Sequence, residues 1–132
     1  MTYLLDTDTF SAIAMQRSPF AVQRLYEIAE GNAAISIVTL AEIRFGMALK
    51  PLHARTQARI EAMLRLIRNL PLGIAVAPHY AKIRSHLQRK GTPIGSMDML
   101  IAAHAQSLGV PLVTNNVKEF KRVPHLQVHN WA

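Results

Sequence analysis

The 132-residue sequence contains no cysteine and only eight acidic residues. The lack of cysteine excludes disulfide bonds and thiolate metal sites, and it agrees with a reducing compartment. Fifteen Lys and Arg residues outweigh the acids and give a formal net charge of +7. This excess of positive charge favours a polyanionic partner, with nucleic acid as the default expectation. An acidic protein partner, or a surface that is merely basic, is the alternative.

Long hydrophobic runs are also missing. The first residues carry no basic cluster, and Asp6 and Asp8 interrupt the apolar stretch that a signal peptide would need. The uncharged residues 100–117 include His, Gln, Asn, Gly and Pro, which disqualifies them as a membrane-spanning helix. We therefore expect a cytoplasmic protein that forms one domain over residues 1–132, since half of its residues are hydrophobic and can supply a core.

Short apolar runs alternate with helical patterns along the chain. The strands are predicted at residues 2–5, 33–37, 73–77, 110–113 and 126–128. The helices are predicted after Asp6, from Pro19, and at residues 39–49, 53–70, 79–89, 97–108 and 116–121, the last as a short helix or turn. The expected helix caps are Thr7 or Asp8, Thr39 with Glu42, and Ser96. The alternation predicts an α/β fold with a mostly parallel sheet covered by helices on both faces.

Four polar residues fall where one edge of such a sheet would lie. Asp6 closes the first strand, Glu42 comes just after the second, Asp98 is in the first turn of a helix, and Asn116 follows the fourth strand. Because the carboxyl ends of parallel strands share one edge, we expect these side chains to converge there. Converging carboxylates repel one another unless a cation neutralises them, and oxygen ligands favour Mg²⁺ or Mn²⁺. Such a site on a basic protein suits hydrolysis of phosphodiester bonds.

Each of these residues also has a purely structural interpretation. Asp6 can end a strand, Asp8 can cap a helix, Glu42 can complete a capping box, and Asp98 can complement a helix dipole. Asn116 can be a turn residue. Their joint placement is what favours a functional site.

The order and spacing of these motifs resemble those of PIN-domain ribonucleases, in particular the VapC toxins of bacterial VapBC toxin–antitoxin pairs. The resemblance covers nearly the whole chain and rests on residues 3–8 (YLLDTD), 39–46 (TLAEIRFG), 91–98 (GTPIGSMD), 100–105 (LIAAHA) and 113–120 (VTNNVKEF). It implies a three-layer, PIN-like fold and a metal-dependent endoribonuclease. It further implies a small VapB-like antitoxin as partner, and a homodimer or a toxin–antitoxin hetero-oligomer.

The resemblance also assigns roles to individual residues. Asp6, Glu42, Asp98 and Asn116 would be catalytic. The three acids would hold Mg²⁺ or Mn²⁺, and Asn116 stands where many relatives carry a fourth acid. The supporting residues would be Thr7, Asp8 and Thr114. Residues 90–105 and 114–131 are most similar to the branch that cleaves initiator tRNA in its anticodon stem-loop, which implies that substrate.

Basic side chains near the expected site are candidate contacts for RNA phosphates. They are Arg44, Arg89, Lys90, Lys118, Lys121 and Arg122. A solvated basic face is the alternative interpretation. His104 lies six residues after Asp98 and off its helical face, so we expect a core or surface histidine rather than a ligand.

Two other functions remain open at this point. The sequence Asp6-Thr7-Asp8-Thr9 also resembles the nucleophile motif of haloacid-dehalogenase-type phosphatases, in which Asp6 would form an aspartyl-phosphate and Asp8 would act as acid and base. The neutral side chain of Asn116 leaves a non-catalytic RNA-binding module as the second alternative.

Overall fold

A computed structural model of the protein describes residues 2–28 and 30–132, which form five strands and seven helices. The strands are β1 (Tyr3–Leu5), β2 (Ala33–Ser36), β3 (Arg68–Leu70), β4 (Leu112–Val113) and β5 (Val128–His129). The helices are α1 (Thr7–Ala14), α2 (Pro19–Glu27), α3 (Ile37–Leu49), α4 (Ala54–Leu66), α5 (Val76–Arg89), α6 (Ser96–Leu108) and α7 (Val117–Phe120). None of the helices in these two ranges is both long enough and apolar enough to cross a membrane.

All the strands pair in parallel, in the order β3-β2-β1-β4-β5. The first strand is therefore central, with Leu5 opposite Ile35 on one side and Val113 on the other. The chain builds β2 and β3 on one side of β1 and then crosses to build β4 and β5 on the other. In sheets of this kind, ligands bind at the carboxyl ends of the strands where the direction of winding changes.

Alternating residues of the central strands face two separate cores. Leu4 and Leu112 are fully buried against a layer that includes α5 and α6. Leu5 and Val113 are fully buried against a layer that includes α1 and α4. A sheet covered on both faces needs apolar residues at successive positions, which explains the uninterrupted apolar runs. The predicted three-layer α/β fold is confirmed.

The prediction of the third strand is wrong. Residues 73–77 are not extended: the strand is Arg68–Leu70, which pairs with Ala34–Ser36, and α5 already begins at Val76. The helical pattern expected over residues 53–70 accordingly ends at Leu66. Pro78 fits the first turn of α5, because backbone N–H groups there have no partner within the helix. The strand lies at the edge of the sheet and Arg68 and Asn69 are exposed, so it lacks the apolar signal of a buried strand.

The structure also moves the predicted helix caps. Asp6, rather than Thr7 or Asp8, caps α1, and its side chain accepts a hydrogen bond from the backbone N–H of Thr9. Ser36 caps α3, so the capping box of Thr39 and Glu42 does not form and both residues lie inside the helix. Gly95 occupies the cap position of α6, and Ser96 is the first helical residue. Glu42 is therefore free of a capping role.

Candidate active site

Asp6 lies directly after β1, at the carboxyl end of the central strand. Its side chain is only 4% exposed, and Oδ1 accepts a hydrogen bond of 2.8 Å from the backbone N–H of Thr9. Oδ2 accepts a hydrogen bond of 2.5 Å from the hydroxyl of Thr114, which is fully buried after β4. Burial raises the pKa of Asp6, and these two hydrogen bonds partly oppose the rise. The carboxylate is thus held in one orientation by a backbone N–H of α1 and by a hydroxyl that directly follows β4.

Glu42 reaches the same region from the second turn of α3. It is partly buried, and its Oε1 accepts a hydrogen bond of 2.6 Å from the hydroxyl of Thr7. The same hydroxyl lies 3.2 Å from Oγ1 of Thr39, which is fully buried one turn before Glu42. Thr7 therefore links the start of α1 to α3.

The raised pKa of Asp98 shows that the acidic residues lie near one another. This residue is in the first turn of α6, and its pKa is raised to about 6. Burial is the largest cause, followed by the negative charges of Glu119, Glu42, Asp6 and Asp8, in that order. Four other carboxylates thus act on Asp98 at close enough range to disfavour its ionised form.

Glu119 is a further candidate residue at this site, and the sequence motifs did not single it out. It lies in α7, accepts a hydrogen bond from the side-chain amide of Asn116, and has Oε1 3.5 Å from the backbone nitrogen of Gly95. Among the charged groups it has the largest effect on the pKa of Asp98. The available signal was its position, since Glu119 is the only acidic residue that follows Asp98 in the sequence.

Asn116 is exposed just beyond β4, at the predicted edge of the sheet. Its backbone N–H donates a hydrogen bond of 2.9 Å to the hydroxyl of Thr114. Because the same hydroxyl donates to Asp6, the turn after β4 is joined to the end of β1. Asn116 thus braces the turn and binds Glu119, so a negative charge lies beside this neutral side chain.

No basic side chain within residues 2–28 and 30–132 neutralises these carboxylates by an ion pair. The two ion pairs in this part of the chain join Arg24 to Glu27 and Arg44 to Glu61. Nor do three or more Asp, Glu or His side chains of the described residues approach closely enough to form a complete metal-binding group. The acids are therefore near enough to repel one another, but they are not drawn together around one point.

The predicted RNA contacts occupy different positions. Arg44 is exposed on α3, where its guanidinium forms its ion pair with Glu61 of α4. Arg122 donates a hydrogen bond of 3.2 Å to the carbonyl oxygen of Pro93, in the loop before α6. The others are exposed at the end of α5 or around α7: Arg89, Lys90, Lys118 and Lys121. Arg44 and Arg122 therefore already interact with groups of the same chain, whereas the other four side chains are exposed.

Comparisons with known proteins agree with this architecture. The PIN domain matches residues 3–126. The chain is 35% identical over 132 residues to the tRNA(fMet)-specific endonuclease VapC of Shigella flexneri, covering 100% of this chain and 99% of the relative. It is 34% identical to ribonuclease VapC2 of Rickettsia felis, covering 99% of this chain and 98% of the relative.

Solved structures give the same result. VapBC2 from Rickettsia felis, bound to a DNA fragment from its promoter, is similar with a TM-score of 0.91, 32% identity and complete coverage of both chains. DNA-bound VapBC from Salmonella typhimurium gives a TM-score of 0.90 and 31% identity, covering 100% of this chain and 99% of that one. These similarities favour neither the phosphatase nor the non-catalytic module. The chain belongs to the PIN-domain family and, within it, to the VapC ribonucleases.

Proposed function

We propose that the protein is a metal-dependent endoribonuclease that acts as the toxin of a toxin–antitoxin pair. The observation that carries the metal requirement is the environment of Asp98, whose pKa is raised to about 6 by burial and by four neighbouring acids. Within the described ranges, no Lys or Arg side chain forms an ion pair with any of these acids. A bound cation would offset this repulsion and favour the ionised form of Asp98.

The donor set fits Mg²⁺ or Mn²⁺. All the candidate ligands are oxygen atoms, which hard divalent cations prefer. Mg²⁺ commonly keeps several water molecules and uses only one or two carboxylates, so it does not require three acids in direct contact. Asp6 and Asp98 are the ligands we propose first, with Glu42 completing the set. When bound, the cation would polarise a phosphate oxygen and lower the pKa of a bound water molecule.

The remaining residues orient these carboxylates. Thr114 and the backbone N–H of Thr9 fix Asp6, and Thr7 fixes Glu42. Glu119 adds negative charge next to Asp98 and is itself held by Asn116. Fixed ligand orientation favours metal binding, since replacing such partners commonly costs about 10- to 100-fold in affinity or activity.

For the substrate, we propose initiator tRNA cleaved in its anticodon stem-loop. The support is full-length similarity to the Shigella flexneri enzyme, whose name specifies tRNA(fMet), together with the net charge of +7. Folded RNA is held mainly through its phosphates, while shape and exposed loop bases provide selectivity. Arg89, Lys90, Lys118 and Lys121 are exposed and supply the phosphate contacts in this proposal.

For the partner, we propose a small VapB-like antitoxin, because the solved relatives from Rickettsia felis and Salmonella typhimurium are VapBC complexes. A cavity of about 260 Å³ between α1, α3 and α4 offers one place for it. Thr7, Glu42, Met47 and Ile60 are among the residues that line this cavity. An antitoxin segment seated there would contact a proposed site residue directly and would block the site. The proposed assembly is a homodimer or a toxin–antitoxin hetero-oligomer.

Cleavage by the purified, partner-free protein tests the activity. Initiator tRNA and total tRNA are incubated with Mg²⁺, Mn²⁺ or EDTA, using the wild type, Asp98→Asn and the control Glu27→Gln. The control removes an acid from an exposed ion pair on α2. We expect metal-dependent cutting by the wild type and the control, and none by Asp98→Asn. Cutting in EDTA would contradict the metal requirement, and equal cutting of all tRNAs would contradict the substrate.

A further inference from the structure

A buried histidine in α6 is not explained by the site described above. His104 is 1% exposed, and its Nδ1 lies 2.7 Å from the hydroxyl oxygen of Ser36. The two residues are 68 positions apart in the sequence, and Ser36 is fully buried. A hydrogen bond between two buried side chains is stronger in this environment than at the surface, and it costs more to break.

Ser36 lies at the junction that starts α3. It is the last residue of β2 and the N-cap of α3, where its hydroxyl oxygen accepts a hydrogen bond of 3.1 Å from the backbone N–H of Val38. Its remaining hydroxyl hydrogen is free to bond Nδ1 of His104. One serine thus connects the start of the helix that carries Glu42 to the middle of the helix that carries Asp98.

This connection has no substitute in the part of the chain that is described. The helices α3 and α6 pack together. Among residues 2–28 and 30–132, His104–Ser36 is the one side-chain hydrogen bond that joins α6 to β2 or α3. Other polar links hold Asp6 to Thr114 and Glu42 to Thr7, and neither of them reaches α6.

Packing alone does not account for an imidazole at this position. Burial lowers the pKa of His104, with the carbonyl of Pro71 partly opposing the effect, so the ring is neutral. If Ser36 donates its free hydroxyl hydrogen to Nδ1, the ring proton lies on Nε2. That atom is buried and has no partner of normal hydrogen-bond geometry among the described residues. A leucine would fill the space without this cost, so the bond to Ser36 is the property that distinguishes the histidine.

We propose that His104 is a positioning residue that, through Ser36, holds α3 against α6 and thereby sets the placement of Glu42 relative to Asp98. The inference rests on the proposed function of these carboxylates in metal-dependent cleavage. Displacing catalytic groups by roughly 1 Å can cost about 100-fold in rate, which makes the relative placement of the two helices a direct determinant of activity.

Three variants separate this role from plain stability. His104→Leu removes the bond and keeps the bulk, His104→Asn places an amide where Nδ1 stood, and Ser36→Ala removes the partner. The measurements are Mn²⁺ affinity by calorimetry, kcat and KM for tRNA cleavage, and the melting temperature. We expect His104→Leu and Ser36→Ala each to weaken Mn²⁺ binding and lower kcat by about tenfold with little change in KM, and His104→Asn to recover most of the loss.

Gln106→Leu is the matched control on the same helix. It removes a hydrogen bond of 2.6 Å to the carbonyl oxygen of Pro124, which does not involve α3. We expect this variant to lower the melting temperature while Mn²⁺ affinity and kcat remain as in the wild type. An equal loss of Mn²⁺ affinity in the control would show general destabilisation and would overturn the proposal.

Wild-type Mn²⁺ affinity and kcat in a folded His104→Leu protein would also overturn it. If His104→Leu does not fold, Ser36→Ala and His104→Asn decide: the proposal requires the first to be defective and the second to be near wild type. If the wild type binds Mn²⁺ but cuts no RNA, the proposed function fails, while the Mn²⁺ affinities still test the placement of the two helices. A wild type that binds no Mn²⁺ overturns both.

Discussion

The hydroxyl of Thr114 donates a hydrogen bond of 2.5 Å to the carboxylate of Asp6, although the two residues are 108 positions apart. The bond is buried and joins the carboxyl ends of β1 and β4, where the winding of the sheet changes direction. It favours the ionised form of Asp6 against the effect of burial. Thr114 therefore favours the charged form of Asp6, a candidate metal ligand, and fixes the orientation of its carboxylate.

Thr114→Val should test this relationship directly. Valine keeps the shape but removes the donor, so Oδ2 of Asp6 loses its partner at a cost of about 1–3 kcal/mol in the free energy of unfolding at pH 7. We expect cleavage to fall by about tenfold or more, since Asp6 would be less well oriented. Thr114→Ser, which keeps the hydroxyl, should retain most of the activity, and an equal defect in both variants would contradict the role of the donor.

The pKa of Asp98 predicts how the stability of the metal-free protein depends on pH. The folded-state pKa is about 6 against an ordinary value of 3.8, so the folded protein holds this proton more tightly than the unfolded chain does. The contribution of Asp98 to stability is fully present below about pH 4 and is lost as the pH rises towards and beyond 6. Asp98→Asn should thus become more stable relative to the wild type between pH 4 and pH 7. Melting temperatures in EDTA measure this, and a pH-independent difference would contradict it.

Metal binding should restore the folding stability that is lost when Asp98 ionises. A cation that binds only the folded protein raises the free energy of unfolding by about 2.7 kcal/mol at a concentration of 100 times its Kd. We expect Mn²⁺ to raise the melting temperature of the wild type at pH 7 and EDTA to reverse the rise. Asp98→Asn should show little or no rise, and an equal rise in this variant would place the metal elsewhere.

Glu119→Gln should reveal the contribution of the acid that the sequence analysis missed. Removing its charge removes the largest charge effect on Asp98, so the pKa of Asp98 should fall. The melting temperature of the metal-free variant should then vary less with pH between 4 and 7. Because the negative charge of Glu119 would also attract a cation bound at Asp98, we expect the Mn²⁺ affinity of the variant to fall by about tenfold. Glu27→Gln is the control, and identical pH profiles for the wild type and Glu119→Gln would refute the effect.

Lys121→Gln addresses the proposed contacts to RNA. A lost phosphate contact weakens RNA binding at every sequence and reduces the slope of log affinity against log salt by about 1. We expect this change for Lys121, which is exposed just after α7, and none for Lys82→Gln in the middle of α5. Titrations of catalytically inactive Asp98→Asn protein carrying either change would measure the slopes, and equal slopes would remove Lys121 from the contact surface.

The positions of Asp6 and Asp98 could be predicted because they depend on local signals and on one rule of topology. An apolar run that stops at an aspartate marks the end of a buried strand, and parallel strands place their carboxyl ends together. Asp6 additionally caps α1, a structural role that is compatible with the function proposed for it.

Other features could not be predicted because they arise from contacts between distant segments. Arg68–Leu70 becomes a strand by pairing with Ala34–Ser36, which overrides the helical periodicity of the preceding residues. Glu119 gains its importance from its proximity to Asp98 in space, since the two lie on different helices. The sequence pattern places Ser36 in the interior of a strand, and its capping role follows only from the position at which β2 ends and α3 begins.

The central position of β1 has a consequence during synthesis. Asp6 is synthesised 108 positions before its partner Thr114, which directly follows β4. Asp98 and Glu119 also come from the last third of the sequence. A nascent chain that ends before α6 lacks these groups, so the candidate site cannot assemble until α6, β4 and α7 have all been synthesised.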